Sequence, residues 1–222
     1  MITDREIQNQ ITEEINKDNR IDASKVKVKV NNHEVILKGT VPTFRDKQAA
    51  TADAWGIKGI TTVDNQLIVQ YTSPPQIPKD AEIKYRIQNL LKWNENIDAQ
   101  EITVSVQNAW VNLAGNVSTL FEKAKAEDLV KNLHGVLGIM NEITIVPTAK
   151  IADVLIAEKI ETSLKRNVNL PSDNITVKVK KGEVILTGTV PSYIAKNAAK
   201  RTVLYTRGAI SLVNKIKVRT LE

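Results

Sequence analysis

The stretch VILKGTVP, from Val35 to Pro42, returns as VNLAGNVS at Val111 to Ser118 and as VILTGTVP at Val184 to Pro191. In each copy apolar residues alternate along the chain ahead of a glycine, which is typical of a half-buried β-strand. One chain that contains the same strand three times is best explained by an internal repeat.

The repeat extends well beyond this strand. When the three glycines are aligned, about sixty residues fall into one register without a gap. The repeated positions are a glycine in the strand, a second glycine twenty residues later and an asparagine twenty-six residues after the first: Gly39, Gly115 and Gly188; Gly59, Gly135 and Gly208; Asn65, Asn141 and Asn214. The chain therefore contains three copies of one unit of about 70 residues.

Each unit has the same predicted order of elements. Ile7, Ile11 and Ile15 have the spacing of the inner stripe of an amphipathic helix, and two alternating strands around a polar turn predict a β-hairpin. An Ala- and Lys-rich helix and a last strand follow. We therefore predict an α+β fold of three tandem α-β-β-α-β modules, each a three-stranded mixed sheet with two helices on one face, at residues 1–72, 80–147 and 151–222. Asp80, after a proline-rich linker, is expected to cap its helix.

Several repeated positions have structural interpretations. We expect the strand glycines to permit a bulge or a close helix approach, the later glycines to end helices, and the asparagines to cap the turn into the last strand. Trp55 and Trp93 lie in helical segments, and we expect both to pack into cores or contacts between domains.

Little in the composition supports catalysis. The 222 residues include no cysteine and only two histidines, His33 at a hairpin tip and His134 at a helix end. Neither histidine lies near an acid and a nucleophile in the sequence, so we predict no enzyme, no cofactor and no metal site. Two glycine pairs match the GxxG clamp of KH domains, Gly56 with Gly59 and Gly135 with Gly138, but helix termination explains them better.

The order of elements, the strand pattern V-x-L-x-G-x-V, the Ala-rich helix and the Gly-x5-Asn pair resemble the BON family (bacterial OsmY and nodulation). The resemblance covers nearly the whole chain. It implies a periplasmic or envelope protein, often connected with osmotic or envelope stress, that binds phospholipid membranes. No apolar run reaches the ~20 residues of a membrane-spanning helix, and the first ten residues lack the pattern of a signal peptide.

Charge is concentrated in the third unit. The net charge is zero over residues 1–75, −2 over residues 76–148 and +8 over residues 149–222. Strand parity places several of these cations on the face away from the helices, around one apolar side chain. The predicted phospholipid-binding set is Lys178, Lys180, Lys215, Lys217, Arg219 and Ile185.

A secondary contact is predicted on the equivalent faces of the other units, at Lys25, Lys27, Lys29 and Trp110. The preferred interpretation is a non-enzymatic envelope protein that binds anionic phospholipid surfaces. One alternative is a protein-binding or chaperone-like module that holds envelope proteins at its sheet faces and edges. A more remote alternative is nucleic-acid binding, which few aromatic residues (4%) and the absence of an intact module signature disfavour.

Overall fold

A computed structural model describes residues 2–70, 78–167, 170 and 172–219. The described part of the chain contains the order helix, strand, strand, helix, strand three times. The helices are α1 (Asp4–Lys17), α2 (Phe44–Gly56), α3 (Asp80–Lys92), α4 (Leu120–Lys131), α5 (Asp153–Arg166) and α6 (Tyr193–Leu204). The strands are β1 (Val26–Asn31), β2 (Glu34–Val41), β3 (Thr62–Val69), β4 (Ile102–Gln107), β5 (Trp110–Val117), β6 (Gly138–Ile145), β7 (Ile175–Lys180), β8 (Glu183–Val190) and β9 (Ser211–Val218).

Each module builds its own three-stranded sheet with the glycine-bearing strand in the centre, in the orders β1-β2-β3, β4-β5-β6 and β7-β8-β9. The hairpin strands β1 and β2 pair antiparallel, and β3 pairs parallel to β2 after the α2 crossover. The first helix of each module packs over the first strand, and in the first two modules the second helix packs over the last strand. The predicted fold class is therefore confirmed, whereas the predicted domain boundaries stay a prediction.

The core of each module lies between its two helices and one face of its sheet. In the first module Ile7, Ile11 and Ile15 line the inner side of α1, and Val35 and Leu37 project from β2 toward them, all fully or almost fully buried. Burying an aliphatic side chain of this size contributes roughly 1.5–3 kcal/mol to folding. Neither described helix of a module packs on the opposite face of its own sheet, and we call this face the helix-free face.

The hairpin turn is held by the first residue of the first helix. Asn32 and His33 both have positive φ, as a type I′ turn requires, and their amides donate to the carboxylate of Asp4 at 2.7 and 3.0 Å. These bonds, that of His33 first, hold the pKa of the Asp4 carboxyl below its ordinary value although burial opposes them. The same pair of bonds, at 2.7–2.9 Å, joins Asp80 to Asn108 and Ala109, and Asp153 to Lys181 and Gly182.

The prediction that Asp80 caps its helix is therefore wrong. The capping residue is Lys79, which makes no side-chain bond to the helix, and Asp80 is the first residue of α3. Its carboxylate instead accepts a hydrogen bond from the amide of Asn108 in the hairpin turn, 28 residues away. The turn also binds the chain just before the last strand, because the amide of Leu137 donates to the carbonyl of Ala109 at 3.0 Å.

The strand glycines are required by a neighbouring backbone. Gly39 has φ +121°, and a Cβ at this position would stand 1.9 Å from the carbonyl oxygen of Lys25, just before β1. Gly115 and Gly188 meet the carbonyls of Glu101 and Asn174 at the same distance. Each glycine is thus close to the chain that enters the paired strand. We had expected a close approach to a helix instead.

Two other expectations about repeated positions need correction. The glycines Gly59, Gly135 and Gly208 lie in turns beyond the helix ends, so they do not end the helices themselves. Asn65, Asn141 and Asn214 lie inside the last strands and do not cap a turn. Each asparagine donates to a carbonyl of the second helix, at Lys47, Lys123 and Lys196 (2.8–3.4 Å), and accepts from the amide two residues later.

A second carboxylate is buried at the start of the second helix in two modules. Glu122 accepts from the hydroxyls of Ser118 and Thr119 and from the amide of Asp98. Burial raises the pKa of Glu122, but these bonds outweigh it and leave the pKa below its ordinary value. Asp46 takes this place in the first module and accepts from the amide of Asp22. The third module has Ala195 there.

The first module alone carries a buried carboxylate in a charged cluster. Arg20 contacts Asp18 at 2.5 Å and Asp53 at 3.3 Å, and Oδ2 of Asp53 is buried without a hydrogen-bond partner. Burial and the neighbouring Asp18 raise the pKa of Asp53 to about 6, whereas the Arg20 guanidinium lowers the pKa of Asp18 to about 2. The corresponding residues of the other modules are Leu129 and Thr202.

We predict opposite effects for two alanine substitutions in the first module. Gly39→Ala should destabilise the module by roughly 3 kcal/mol or more, because its Cβ collides with a backbone carbonyl at a strained φ. Gly56→Ala should stabilise it by about 0.5–1 kcal/mol, because a Cβ on this last residue of α2 meets nothing within 4 Å. Urea dependence of hydrogen exchange, read from peptides of residues 2–70, measures both. Equal effects of the two changes would contradict this account.

We also predict a pH-dependent gain from Asp53→Asn. The pKa of Asp53 in the folded state, about 6, lies above its value in the unfolded chain. The contribution of this carboxyl to the free energy of unfolding is therefore favourable at low pH and is lost as pH rises through 6. The variant should therefore be more stable than the parent at pH 7, and the difference should shrink toward pH 4. Glu34→Gln, an exposed acid of the same module, is the control and should show no such trend. A difference that is constant with pH would refute the assignment.

Candidate functional site

The predicted cations of the third module lie on its helix-free face. Lys178 and Lys180 project from β7, and Lys215 and Lys217 from β9, with all four side chains exposed. Arg219 follows the end of β9 and is also exposed. Because neighbouring strands are ~4.8 Å apart, the two lysine pairs stand about 10 Å from each other across β8. We call these five cations and the β8 side chains between them the basic face.

The centre of the basic face is partly apolar. Ile185 of β8 lies directly opposite Lys178 in the strand register and is half-buried. Val213 of β9 has the same outward parity as Lys215 and Lys217 and is 46% exposed. Val213 was not predicted, although the parity that placed the lysines also places this residue.

One acid reduces the charge of this face. Glu183 stands opposite Lys180 in the register, which the sequence analysis did not take into account. The described residues nevertheless contain no salt bridge to any of the five cations. The basic face thus presents a net positive charge without a protein partner that neutralises it.

The equivalent face of the first module is less basic. Lys27 and Lys29 project from β1, and Lys27 stands directly opposite Lys38 of β2. Like charges in this arrangement repel, so this pair favours an anionic neighbour. Lys25 lies in the short 3-10 turn Ala23–Lys25 before β1 and not on the strand. Asp64, beside Ile36 in the register, offsets part of the charge.

The second module differs from both. Its helix-free face carries Trp110, which is 57% exposed, and Met140, and none of its outward residues on β4, β5 and β6 is a lysine or arginine. Trp110 does not share a face with any predicted cation of the site.

An aromatic surface on α3 was not predicted. Trp93, expected to pack into a core or a domain contact, is the C-cap residue just after α3 and is 80% exposed, and Tyr85 on α3 is 67% exposed. Because the buried stripe of α3 is Ile83, Ile87 and Leu91, positions 85 and 93 fall outside it, and this spacing could have revealed their exposure. Lys84, Arg86 and Lys92 are the neighbours of these residues in the sequence and are exposed, and Arg86 pairs with Glu82 at 2.5 Å. We call Tyr85, Trp93 and these cations the α3 face.

Trp55 behaves as expected. It packs against the core of the first module and stacks on Tyr193, with ring centroids 4.0 Å apart and an interplanar angle of 10°. Burial raises the pKa of the Tyr193 hydroxyl.

The two histidines lie in turns of the first and second modules. His33 occupies the second position of the β1–β2 turn, and its Nδ1 is buried without a hydrogen-bond partner. His134 lies in the turn that follows α4 and is exposed. Within the described residues, no three His, Asp or Glu side chains come together as a metal site. The described helices are also all too short or too polar to cross a membrane.

Three curated relatives match most of the chain. The chain is 31% identical over 137 residues to the outer membrane lipoprotein DolP of Haemophilus influenzae, covering 61% of this chain and 70% of that protein. It is 26% identical over 147 residues to a 21 kDa hemolysin of Actinobacillus pleuropneumoniae, covering 65% and 75%. It is 23% identical over 126 residues to osmotically-inducible protein Y of Escherichia coli K12, covering 55% and 63%.

The family model for the BON domain matches three successive segments, residues 3–71, 79–147 and 152–220. These segments correspond to the three α-β-β-α-β modules of the structure, and the resemblance inferred from the repeat is confirmed. The chain belongs to the BON family and contains three tandem copies of its domain.

Proposed function

We propose that this protein is a non-enzymatic protein of the cell envelope that binds anionic phospholipid surfaces through the basic face of its third module. The observation that carries the proposal is the cluster of five cations, without a salt bridge among the described residues, around the half-buried Ile185. Each Lys or Arg close to an anionic bilayer contributes ~1 kcal/mol, so this face supplies useful attachment that depends on salt.

The envelope location rests on the relatives. One of them is named an outer membrane lipoprotein and another an osmotically-inducible protein, which supports a role in envelope stress. We assign no catalytic role, because the two histidines lie in turns of different modules and Glu183 is the one acid on the described strands of the third-module face.

The α3 face is proposed as a second membrane contact. Trp and Tyr favour the interface between lipid headgroups and acyl chains, because their rings combine an apolar body with a polar group. Trp93 and Tyr85 lie roughly 12 Å apart along the helix axis, with cations between and beside them. This arrangement supplies an attachment that depends mainly on apolar burial, in contrast to the basic face. The lysines Lys25, Lys27 and Lys29 remain a weaker, third contact.

A protein-binding role is the second candidate. In every module the first and last strands are sheet edges, and an edge strand can pair with an extended segment of a partner. Suppressed aggregation of an unfolding client protein without binding to vesicles would favour this role. Tight binding of single-stranded RNA without vesicle binding would favour the nucleic-acid alternative.

The electrostatic part of the proposal predicts the effect of replacing the five cations by neutral side chains. Replacing Lys178, Lys180, Lys215, Lys217 and Arg219 by Gln should lower affinity for anionic vesicles at least tenfold, because most of the charge of the basic module is removed. Folding should be nearly unchanged, since these side chains point away from the core. Vesicle sedimentation with anionic and neutral lipids measures the affinity, and circular dichroism confirms the fold.

The matched control replaces Lys25, Lys27 and Lys29 by Gln in the first module, where net charge is zero and the loss should be smaller. If the folded third-module variant binds anionic vesicles as the parent does, the basic face is ordinary solvated surface.

The aromatic part makes a separate prediction. Tyr85→Ala with Trp93→Ala should weaken vesicle binding by a factor that stays similar as salt rises, because apolar insertion is not screened. The sequence predicts Trp110 as a secondary contact, but its face carries no cation, so it is not part of the contact proposed here. Trp110→Ala is therefore the control and should leave vesicle binding unchanged. Sedimentation at low and high salt measures both variants. Unchanged binding by the α3 variant would remove this helix from the contact without affecting the basic face.

A further inference from the structure

The helix-free face of the second module has a chemistry that the membrane proposal does not use. It combines one exposed aromatic ring and one exposed methionine with short hydroxyl, amide and carboxylate side chains. Its outward residues are Thr103, Ser105 and Gln107 on β4, Trp110, Asn112, Ala114 and Asn116 on β5, and Gly138, Met140, Glu142 and Thr144 on β6. The face therefore has many hydrogen-bonding groups and a single formal charge.

Trp110 is fixed flat on this face by a glycine of the next strand. Trp110 and Gly138 are partners in the β5–β6 register, and a Cβ on Gly138 would lie 2.4 Å from Cζ3 of the indole. The six-membered ring thus covers the backbone of β6, and Gly138 is buried beneath it. Because one side of the ring is held against the strand, the 57% exposed remainder presents a rigid aromatic platform to solvent.

Polar groups surround this platform at the same level. Gln107 stands opposite Trp110 on β4, and Asn112 is the next outward residue on β5. Asn112 donates from Nδ2 to Oε2 of Glu142 at 3.0 Å, while its Oδ1 is buried without a partner in the described structure. The bond holds Glu142 in place and leaves its other oxygen available to accept from a ligand hydroxyl.

The charge of the helix-free face of the second module favours some classes of ligand over others. Anionic lipid or nucleic acid is disfavoured, because the only formal charge on the face is the carboxylate of Glu142. A large hydrophobic partner is also disfavoured, because the exposed apolar groups are limited to Trp110 and Met140. A neutral ligand with an apolar ring face and many hydroxyls is complementary to both features. A sugar ring presents C–H groups to an aromatic face and hydroxyls at its rim, where amides and carboxylates can bind them.

We propose that this face binds a neutral, extended glycan chain of β-linked sugars, with Trp110 as the stacking platform and Gln107, Asn112 and Glu142 as hydrogen-bonding groups. An extended chain fits because outward residues continue along β5 from Trp110 to Asn116, a distance of about 20 Å. The platform needs no ordering on binding, so little conformational entropy is lost. The proposal concerns a different face from the membrane contacts and stands independently of them.

The test uses the whole 222-residue chain and the β-1,4-linked N-acetylglucosamine hexamer, chitohexaose. In a ¹⁵N–¹H spectrum the three tryptophans give three indole N–H signals, one each from Trp55, Trp93 and Trp110. Titration should shift the Trp110 signal and leave the other two in place, with a dissociation constant on the order of 1 mM, since one ring and a few hydrogen bonds must offset the cost of association. Maltohexaose, whose α-linked chain coils, should bind more weakly.

Variants decide whether Trp110 is the platform. Trp110→Ala should weaken binding at least tenfold, and Trp110→Phe, which retains a ring over Gly138, should weaken it several-fold. Trp93→Ala removes a more exposed tryptophan and should leave binding unchanged. Glu142→Gln and Asn112→Ala, which leave the ring in place, should each weaken binding several-fold, so the proposal does not depend on the folding of Trp110→Ala alone.

Three results would overturn the proposal. The first is the absence of a Trp110 shift at about 10 mM hexasaccharide, well above the expected dissociation constant. The second is unchanged binding by folded Trp110→Ala. The third is a Trp110 shift with anionic vesicles and none with the glycan, which would assign the ring to the bilayer.

Discussion

An aspartate carboxylate that accepts two backbone amides of a hairpin turn is the contact on which each module depends. Asp4 performs this role in the first module, and the amides come from a type I′ turn whose two central residues have positive φ. The bonds connect the start of the first helix to the tip of the hairpin. The carbonyl of the second turn residue, His33, then accepts from Thr61 at the entrance to the last strand. One turn thus joins the first helix and all three strands.

This contact also decides which surfaces remain free. Because the helix start is fixed to the hairpin tip, α1 must run over β1 on one side of the sheet. Asn65 adds a second constraint, since its bond to the carbonyl of Lys47 holds α2 over β3 on the same side. Both helices therefore cover one face, and the other face is left for side chains whose identity the fold does not restrict.

The gapless repeat made the order of elements, the strand parity and the buried stripes predictable, because these follow from local periodicity. The aspartate contact was also present in the sequence, since Asp4, Asp80 and Asp153 each precede the strand glycine by 35 residues. Its partner lies 28 or 29 residues away, however, and propensity rules interpret a carboxylate near a helix start as a cap. The predicted capping role of the asparagines was wrong for the same reason, because their hydrogen bonds reach the second helix, 18 residues away in the sequence. For the basic face, parity placed the four lysines and Arg219 on strands; the lysines lie there, whereas Arg219 lies just beyond the end of β9.

The third module shows how the repeat tolerates change in its interior. Glu122 accepts from the amide of Asp98, and Asp46 accepts from the amide of Asp22 in the same way. In the third module the acceptor position is Ala195 and the donor position is Pro171, an imino acid without an amide hydrogen. The sequence of the third module thus lacks both the carboxylate and the amide hydrogen of this bond, and loss of both partners costs far less than loss of one.

The helix-free faces diverge without this kind of constraint. A change there alters no helix contact, so each module can acquire its own surface chemistry on the same frame. Across the described strands, cations cluster in the third module, mix with acids in the first and are absent from the second. The net charge of +6 is therefore a poor measure of the charge on any one face, because residues 149–222 alone have a net charge of +8. An anionic partner is attracted to individual faces within a Debye length of ~8–10 Å, so its affinity is determined by this local clustering and not by the charge of the chain.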